Sequence, residues 1–282
     1  RRLNKNNNFL STKFAFLKRD DGKMIKAIVL DLDGTLLKED KTVSQETINA
    51  LLKFKSQSNK ILFATARPPR DAYKYVPKEL RDNPIICYNG ACVINSQKQI
   101  LYRKEMTQKD ILEILKEIKK FGYNQLCLEI DDALYSDFDT SEFFGNALTQ
   151  IVDLEKLEFE TAYKAIICSE NPIPKDLLEE LPHFVKGVVT DNGTICQIMN
   201  SEVSKWNTIK SLTEKLGIDT KNIIAFGDDY NDIDMIKNAG IGIAMGNAEE
   251  NVKKVANFVT DTNMNDGVAK YIKQKILEEV ER

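Results

Sequence analysis

The run Ile25-Lys26-Ala27-Ile28-Val29-Leu30 is almost entirely apolar, and Asp31-Leu32-Asp33-Gly34-Thr35-Leu36-Leu37 follows it directly. A continuous apolar run of this length marks a strand buried on both faces, the environment of a parallel sheet. Asp31 and Asp33 then stand at the strand's carboxyl end. Strand side chains repeat every second residue, so these two carboxylates can point the same way, and Gly34 lets the backbone turn sharply. Open α/β sheets bind their ligands at that end. A carboxylate held ionised beside a metal ion can attack phosphorus. A second one, protonated at the start, can protonate the leaving oxygen and later deprotonate water. The competing reading is a pair of solvated aspartates capping a turn.

Similar strand ends recur along the chain. Lys60-Ile61-Leu62-Phe63-Ala64 reads as a second buried strand ending on Thr65-Ala66-Arg67-Pro68, where a Thr hydroxyl can donate to a phosphoryl oxygen as charge builds up or can simply satisfy a turn. A third strand, Pro84 to Tyr88, ends in Asn89-Gly90, which is equally the commonest hairpin turn. A fourth, Asn222 to Phe226, leads into Gly227-Asp228-Asp229-Tyr230-Asn231-Asp232. This is no calcium loop: Tyr230 occupies a ligand position, the sixth position lacks Gly, and Ala239 stands where Glu is needed. Gly240 to Gly246 lacks the spacing of a dinucleotide fingerprint. Lys205 falls near the first turn of a helix read over Ser201 to Leu216, with Val203, Ile209, Leu212 and Leu216 on its apolar side.

Taken together, Asp31-Leu32-Asp33-Gly34-Thr35, Thr65, Lys205 and Gly227-Asp228-x-x-Asn231-Asp232 resemble the four motifs of the haloacid dehalogenase superfamily, in order and over almost all of residues 24–282. The second aspartate, Asp33, resembles the phosphatase and phosphomutase branch. The resemblance implies that Asp31 is the nucleophile forming an aspartyl-phosphate, Asp33 the acid/base, and Thr65 and Lys205 the groups that hold the phosphoryl oxygens. It places Ala66, Arg67, Asn89, Gly90 and Asn231 near the phosphate. It implies a metal held by Asp31, the Asp33 backbone carbonyl and Asp228, with Asp232 ligating directly or through bound water. Two residues depart from the family pattern: Ala66 stands where relatives usually have Gly, and Trp206 where they have a small residue. Both are expected to bear on the substrate mouth.

Residues 104–199 change character. A helix from Thr107 to Phe121, a hairpin of Gln125 to Ile130 with Ala133 to Ser136, a helix from Ser141 to Thr149, a strand from Tyr163 to Cys168, a helix from Lys175 to Leu181, and paired strands Phe184 to Thr190 and Ile195 to Met199 give the order αββαβαββ. This resembles the type IIB cap of Cof-type phosphatases. The expected fold is therefore α/β: a Rossmann-like parallel-sheet core, residues 24–103 and 200–282, interrupted by an α+β cap domain.

The formal charge of −3 conceals an asymmetry: residues 1–23 carry +5, leaving the remainder at −8. An acidic body without a basic stripe argues against nucleic acid as a partner. The Asn- and Lys-rich segment 1–23 reads as a leader before Met24, too broken in its apolar residues to be a signal-peptide core or a membrane span. Five scattered cysteines without a C-x-x-C pair suit a reducing, cytoplasmic compartment. His183 is the only histidine, so neither a His-based triad nor a zinc site can be assembled, and acid/base work falls to carboxylates.

Asp31, Asp33, Asp228 and Asp232 cannot face a phosphate dianion unaided, because each like-charge pair near 4 Å costs about 4 kcal/mol at an effective dielectric of 20. An all-oxygen donor set favours Mg²⁺. The expected activity is Mg²⁺-dependent hydrolysis of a small soluble phosphomonoester, with sugar phosphates among the candidates. A phosphomutase or phosphotransferase is the enzymatic alternative, and a non-catalytic phospho-ligand sensor the alternative from another class.

Overall fold

A computed structural model describes residues 24–145 and 147–278; the leader expected over 1–23 lies outside the described residues. The chain begins with β1 (Ala27–Leu30), α1 (Gln45–Lys55), β2 (Lys60–Ala64), α2 (Pro69–Tyr75), β3 (Ile85–Cys87), β4 (Cys92–Ile94) and β5 (Ile100–Arg103). Its middle portion runs β6 (Met106–Thr107), α3 (Gln108–Lys120), β7 (Leu126–Ile130), β8 (Ala133–Ser136), α4 (Ser141–Phe144), β9 (Thr149–Ile151), β10 (Thr161–Ala162), β11 (Lys164–Cys168), α5 (Lys175–Glu179), β12 (Val185–Thr190) and β13 (Ile195–Asn200). It closes with α6 (Lys205–Lys215), β14 (Ile223–Gly227), α7 (Ile233–Asn238), β15 (Ile241–Ala244), α8 (Glu250–Val255), β16 (Phe258–Val259) and α9 (Gly267–Glu278).

The apolar runs become the centre of an eight-stranded sheet ordered β16-β15-β14-β1-β2-β3-β4-β5, parallel from β16 to β3. The last two pairings, β3 with β4 and β4 with β5, are antiparallel. Every residue of β1 is fully buried, as a strand covered on both faces requires. Helices start where the sequence offers caps: the Ser44 hydroxyl accepts from the Thr47 N–H at the head of α1, and Thr107 with Asp110 forms a capping box on α3.

The second sheet, ordered β12-β13-β11-β7-β8-β9, is antiparallel except where β9 runs parallel to β8. One face packs beneath α3 and α5 through Ile111, Ile114, Ile118, Leu128, Ile167 and Ile198. By strand alternation the other face presents Cys127, Glu129, Lys164, Ile166, Ile195 and Gln197.

The expected order αββαβαββ is present, with three differences of detail. The helix read over Ser141 to Thr149 is a single turn, because Gly145 turns out of it at φ 56°, and Thr149–Ile151 pairs instead as β9. The short strand β10 pairs with β6, which the pattern did not mark. The helix read from Ser201 begins only at Lys205, where the Ser204 hydroxyl caps it; its buried side is Lys205, Thr208, Ile209 and Thr213, while Leu216 is exposed. Among the described residues no helix is long and apolar enough to cross a membrane. All five cysteines are buried.

Candidate active site

The carboxyl ends of β1, β2 and β14 and the head of α6 meet at one place. Lys205, its side chain 1% exposed, donates from Nζ to Asp31 Oδ1 at 2.6 Å and to Asp232 Oδ1 at 2.7 Å. The other Asp232 oxygen accepts the backbone N–H groups of Asp228 (3.0 Å) and Asp229 (3.2 Å), which fixes the loop after β14. The Thr35 hydroxyl donates to Asp228 Oδ1 at 2.7 Å. Gly34 has φ 73°, and a Cβ there would lie 2.0 Å from Asp228 Oδ2, so only glycine lets the turn after β1 pass so close to that carboxylate.

Asp31, Asp33, Thr65, Ala66, Asp228 and Asn231 line a cavity of about 390 Å³ over this cluster. Asp229 lines it as well as capping the turn that follows. Asn231 donates to Asn89 Oδ1 at 3.0 Å, and its own Oδ1 is buried without a donor. Gly90 does not line this cavity. Its carbonyl accepts the Thr208 hydroxyl at 2.7 Å, and a Cβ there would lie 2.3 Å from the Ser204 carbonyl, so its role is to bring α6, and with it Lys205, against the loop after β3. Arg67 turns to Asp33, its Nε and Nη2 donating to the two carboxylate oxygens at 2.5 and 2.7 Å, while its guanidinium rests on the Tyr75 ring. Lys41, unmarked in the sequence, also donates to Asp33 at 2.8 Å.

Burial pushes Asp31 well above the usual carboxylate range; Lys205 opposes that, and the charges of Asp232 and Asp228 add to it. Asp228 is pushed up to about 7, by burial first and then by Asp232. Burial disfavours the Lys205 ammonium, yet Asp232 and Asp31 outweigh it and hold the group charged well above its ordinary range. At Asp33 burial is likewise outweighed, by hydrogen bonds from Arg67 and Lys41, and the carboxyl is held below its usual range. One oxygen each from Asp31, Asp228 and Asp232 lies within 4.8 Å of the others. Three mutually repelling hard oxygens, with no nitrogen or sulfur donor among them, fit a hard divalent cation.

A second cavity of about 240 Å³ adjoins the first, Ala66 lining both. Here the second sheet meets the core. Lys164 Nζ donates to the Ala66 carbonyl at 3.0 Å and to Gln197 Oε1 at 2.5 Å, and Arg70 from α2 clasps Glu129 through two hydrogen bonds of 2.8 Å. None of Arg70, Glu129, Lys164 and Gln197 was marked by the sequence, although a lysine within the apolar run Tyr163 to Cys168 was the available signal. Ala66 thus lines both cavities. Trp206 packs partly buried against the main core and lines neither of them.

The haloacid dehalogenase-like hydrolase family matches residues 28–272. The chain belongs to this family. It is 32% identical over 261 residues to the 5-amino-6-(5-phospho-D-ribitylamino)uracil phosphatase YitU of Bacillus subtilis, covering 88% of this chain and 96% of that one. It is 29% identical to the pyridoxal phosphate phosphatase YbhA of Escherichia coli, covering 88% and 97%. A solved phosphatase of the haloalkanoate enzyme superfamily from Bacteroides thetaiotaomicron superposes with a TM-score of 0.78 at 27% identity, over 89% of this chain and 95% of that one. Like these relatives, the chain is a phosphatase of the haloacid dehalogenase type.

Proposed function

We propose that the protein is a Mg²⁺-dependent hydrolase of a small soluble phosphomonoester, acting through an aspartyl-phosphate on Asp31. The observation that carries this is the buried Lys205 ammonium joining Asp31 to Asp232 beside Asp228, beneath the cavity that Asp31, Asp33 and Asp228 line. Asp31, the Asp33 backbone carbonyl and Asp228 would hold the cation, with Asp232 in direct contact or acting through bound water. When bound, the cation neutralises repulsion between carboxylates and phosphate and stabilises charge on the phosphoryl oxygens.

The residues divide the chemistry as follows. Asp31 attacks phosphorus with its free oxygen while Lys205 and the Thr65 hydroxyl hold phosphoryl oxygens. The ester P–O bond breaks, and Asp33 gives its proton to the leaving oxygen. Asp33 then takes a proton from the water that attacks phosphorus, and the acyl-phosphate bond breaks to return Asp31 and release phosphate. For this Asp33 must exchange its contacts with Arg67 and Lys41, which leaves Arg67 available to the phosphate. The substrates named for YitU and YbhA are phosphate esters of compact alcohols bearing a ring, and a compact phosphorylated metabolite of that size suits the two adjoining cavities.

Phosphate release from p-nitrophenyl phosphate and from a set of metabolite phosphates is the test. Turnover is expected with Mg²⁺, with loss in EDTA and in Asp31→Asn. Silence of the wild type on every ester, with Mg²⁺ present, would turn the reading to a phospho-ligand sensor.

A further inference from the structure

The cavity between core and second sheet has a polarity gradient set by strand register. On β11, Lys164 sits against the core at Ala66, directly across from Glu129 on β7. One pleat farther from the core lies Ile166, paired with Gln197 on β13, and a further pleat on, Cys168 is paired with Ile195. Lys164, Glu129 and Gln197 therefore stand at the end of the cavity beside Ala66, which also lines the Asp31 cavity, with Leu134 next to Glu129 on β8. Phe144, Ala147, Ile166 and Ile195 line it farther along the second sheet, while Pro68, Arg70 and Asp71 line it from the head of α2.

Resting on the hydrolase reading above, we infer that the substrate's alcohol is polar near the ester and apolar beyond it: hydroxyl or carbonyl oxygens in the first few atoms, met by Lys164 and Gln197, then an aromatic or heteroaromatic body against Ile166, Ile195 and Phe144. A polyhydroxylated sugar filling the same space would press its distal hydroxyls against aliphatic walls that offer no hydrogen bond, and each unpaired hydroxyl counts against binding. A ring with apolar faces gains by the same burial. Lys164 carries a second task, since its bond to the Ala66 carbonyl ties this sheet to the loop bearing Thr65.

The test uses pairs of esters that share the polar portion and differ only beyond it: uridine 5′-monophosphate against ribose 5-phosphate, and flavin mononucleotide against ribitol 5-phosphate. Acetyl phosphate, too small to reach the apolar end, reports the phosphoryl chemistry alone. At least one ring-bearing ester is expected to exceed its partner about tenfold in kcat/KM, equivalent to about 1.4 kcal/mol. Ile166→Thr and Ile195→Thr keep β-branched side chains in their strands and place a hydroxyl at the apolar end; either is expected to cut that ratio about threefold or more. Because the readout is a ratio, general damage to the enzyme cancels. Ratios below that level for both pairs, or a ratio that neither variant lowers, would overturn the inference while leaving hydrolysis intact. Failure of the wild type to hydrolyse acetyl phosphate and every ester of the two pairs would instead overturn the hydrolase reading beneath it.

Discussion

Among the described residues two lysines are buried, and they are pushed in opposite directions. Burial favours the neutral amine in both. At Lys205, Asp232 and Asp31 reverse that preference. Lys164 hydrogen-bonds only neutral oxygens, and burial brings it down to about 8 against the opposing charge of Glu129. An unfolded lysine titrates near 10.4, so between about 8 and 10.4 the unfolded chain binds a proton that the folded one releases, and stability rises with pH over that window. Below it the cost is fully present. Melting temperature followed from pH 8 to pH 10 should therefore climb relative to Lys164→Met, which lacks this contribution. Lys205→Met should behave in the contrary sense. It strands two carboxylates in the interior, a loss of about 3–5 kcal/mol of stability that chemical denaturation would register. Its phosphate release should fall about a hundredfold or more.

At the scale of elements, the strand ends were the legible part. Unbroken apolar runs marked β1, β2 and β14, and the polar residues immediately after them gave most of the side chains that meet at Lys205. The turn after β1 shows why the spacing is strict. Gly34→Ala puts a methyl group into the Asp228 carboxylate at a positive φ. It should cost activity about a hundredfold, through displacement of that carboxylate, with a smaller change in melting temperature. Other elements were less readable because tertiary context decided them. Residues 141–149 have helical composition, yet Gly145 and the open edge of β8 divert them into one turn and a strand. Lys41 and Arg67 reach Asp33 from separate loops, and no spacing in the sequence foretells that convergence. The same holds for Lys164 facing Glu129, which depends on the register of two strands distant in sequence.

Across the whole molecule, the second sheet is tied to the core by polar contacts. Arg70 reaches from α2 to Glu129 and Asp132, and Tyr88 adds its hydroxyl to Glu129 at 3.0 Å. Arg70→Met should loosen that tie, raising KM more than it lowers kcat and increasing hydrogen exchange in β7; equal protection in variant and wild type would show that apolar contacts alone hold the sheets together. The general architecture was legible from element order, whereas this junction was not, since it lies between residues that only folding brings near. Timing follows from the sheet order. Leu30 is in register with Phe63 on one side and Phe226 on the other, so the central strand waits, one edge bare, until β14, about 190 residues on, has left the ribosome. Bare edges of this kind invite mispairing. The middle portion, built largely of neighbouring antiparallel strands, can fold during that interval. When β14 docks, it covers that edge and delivers Asp228 and Asp232 to Asp31 in one event, so a nascent chain acquires its chemistry only after β14 has emerged.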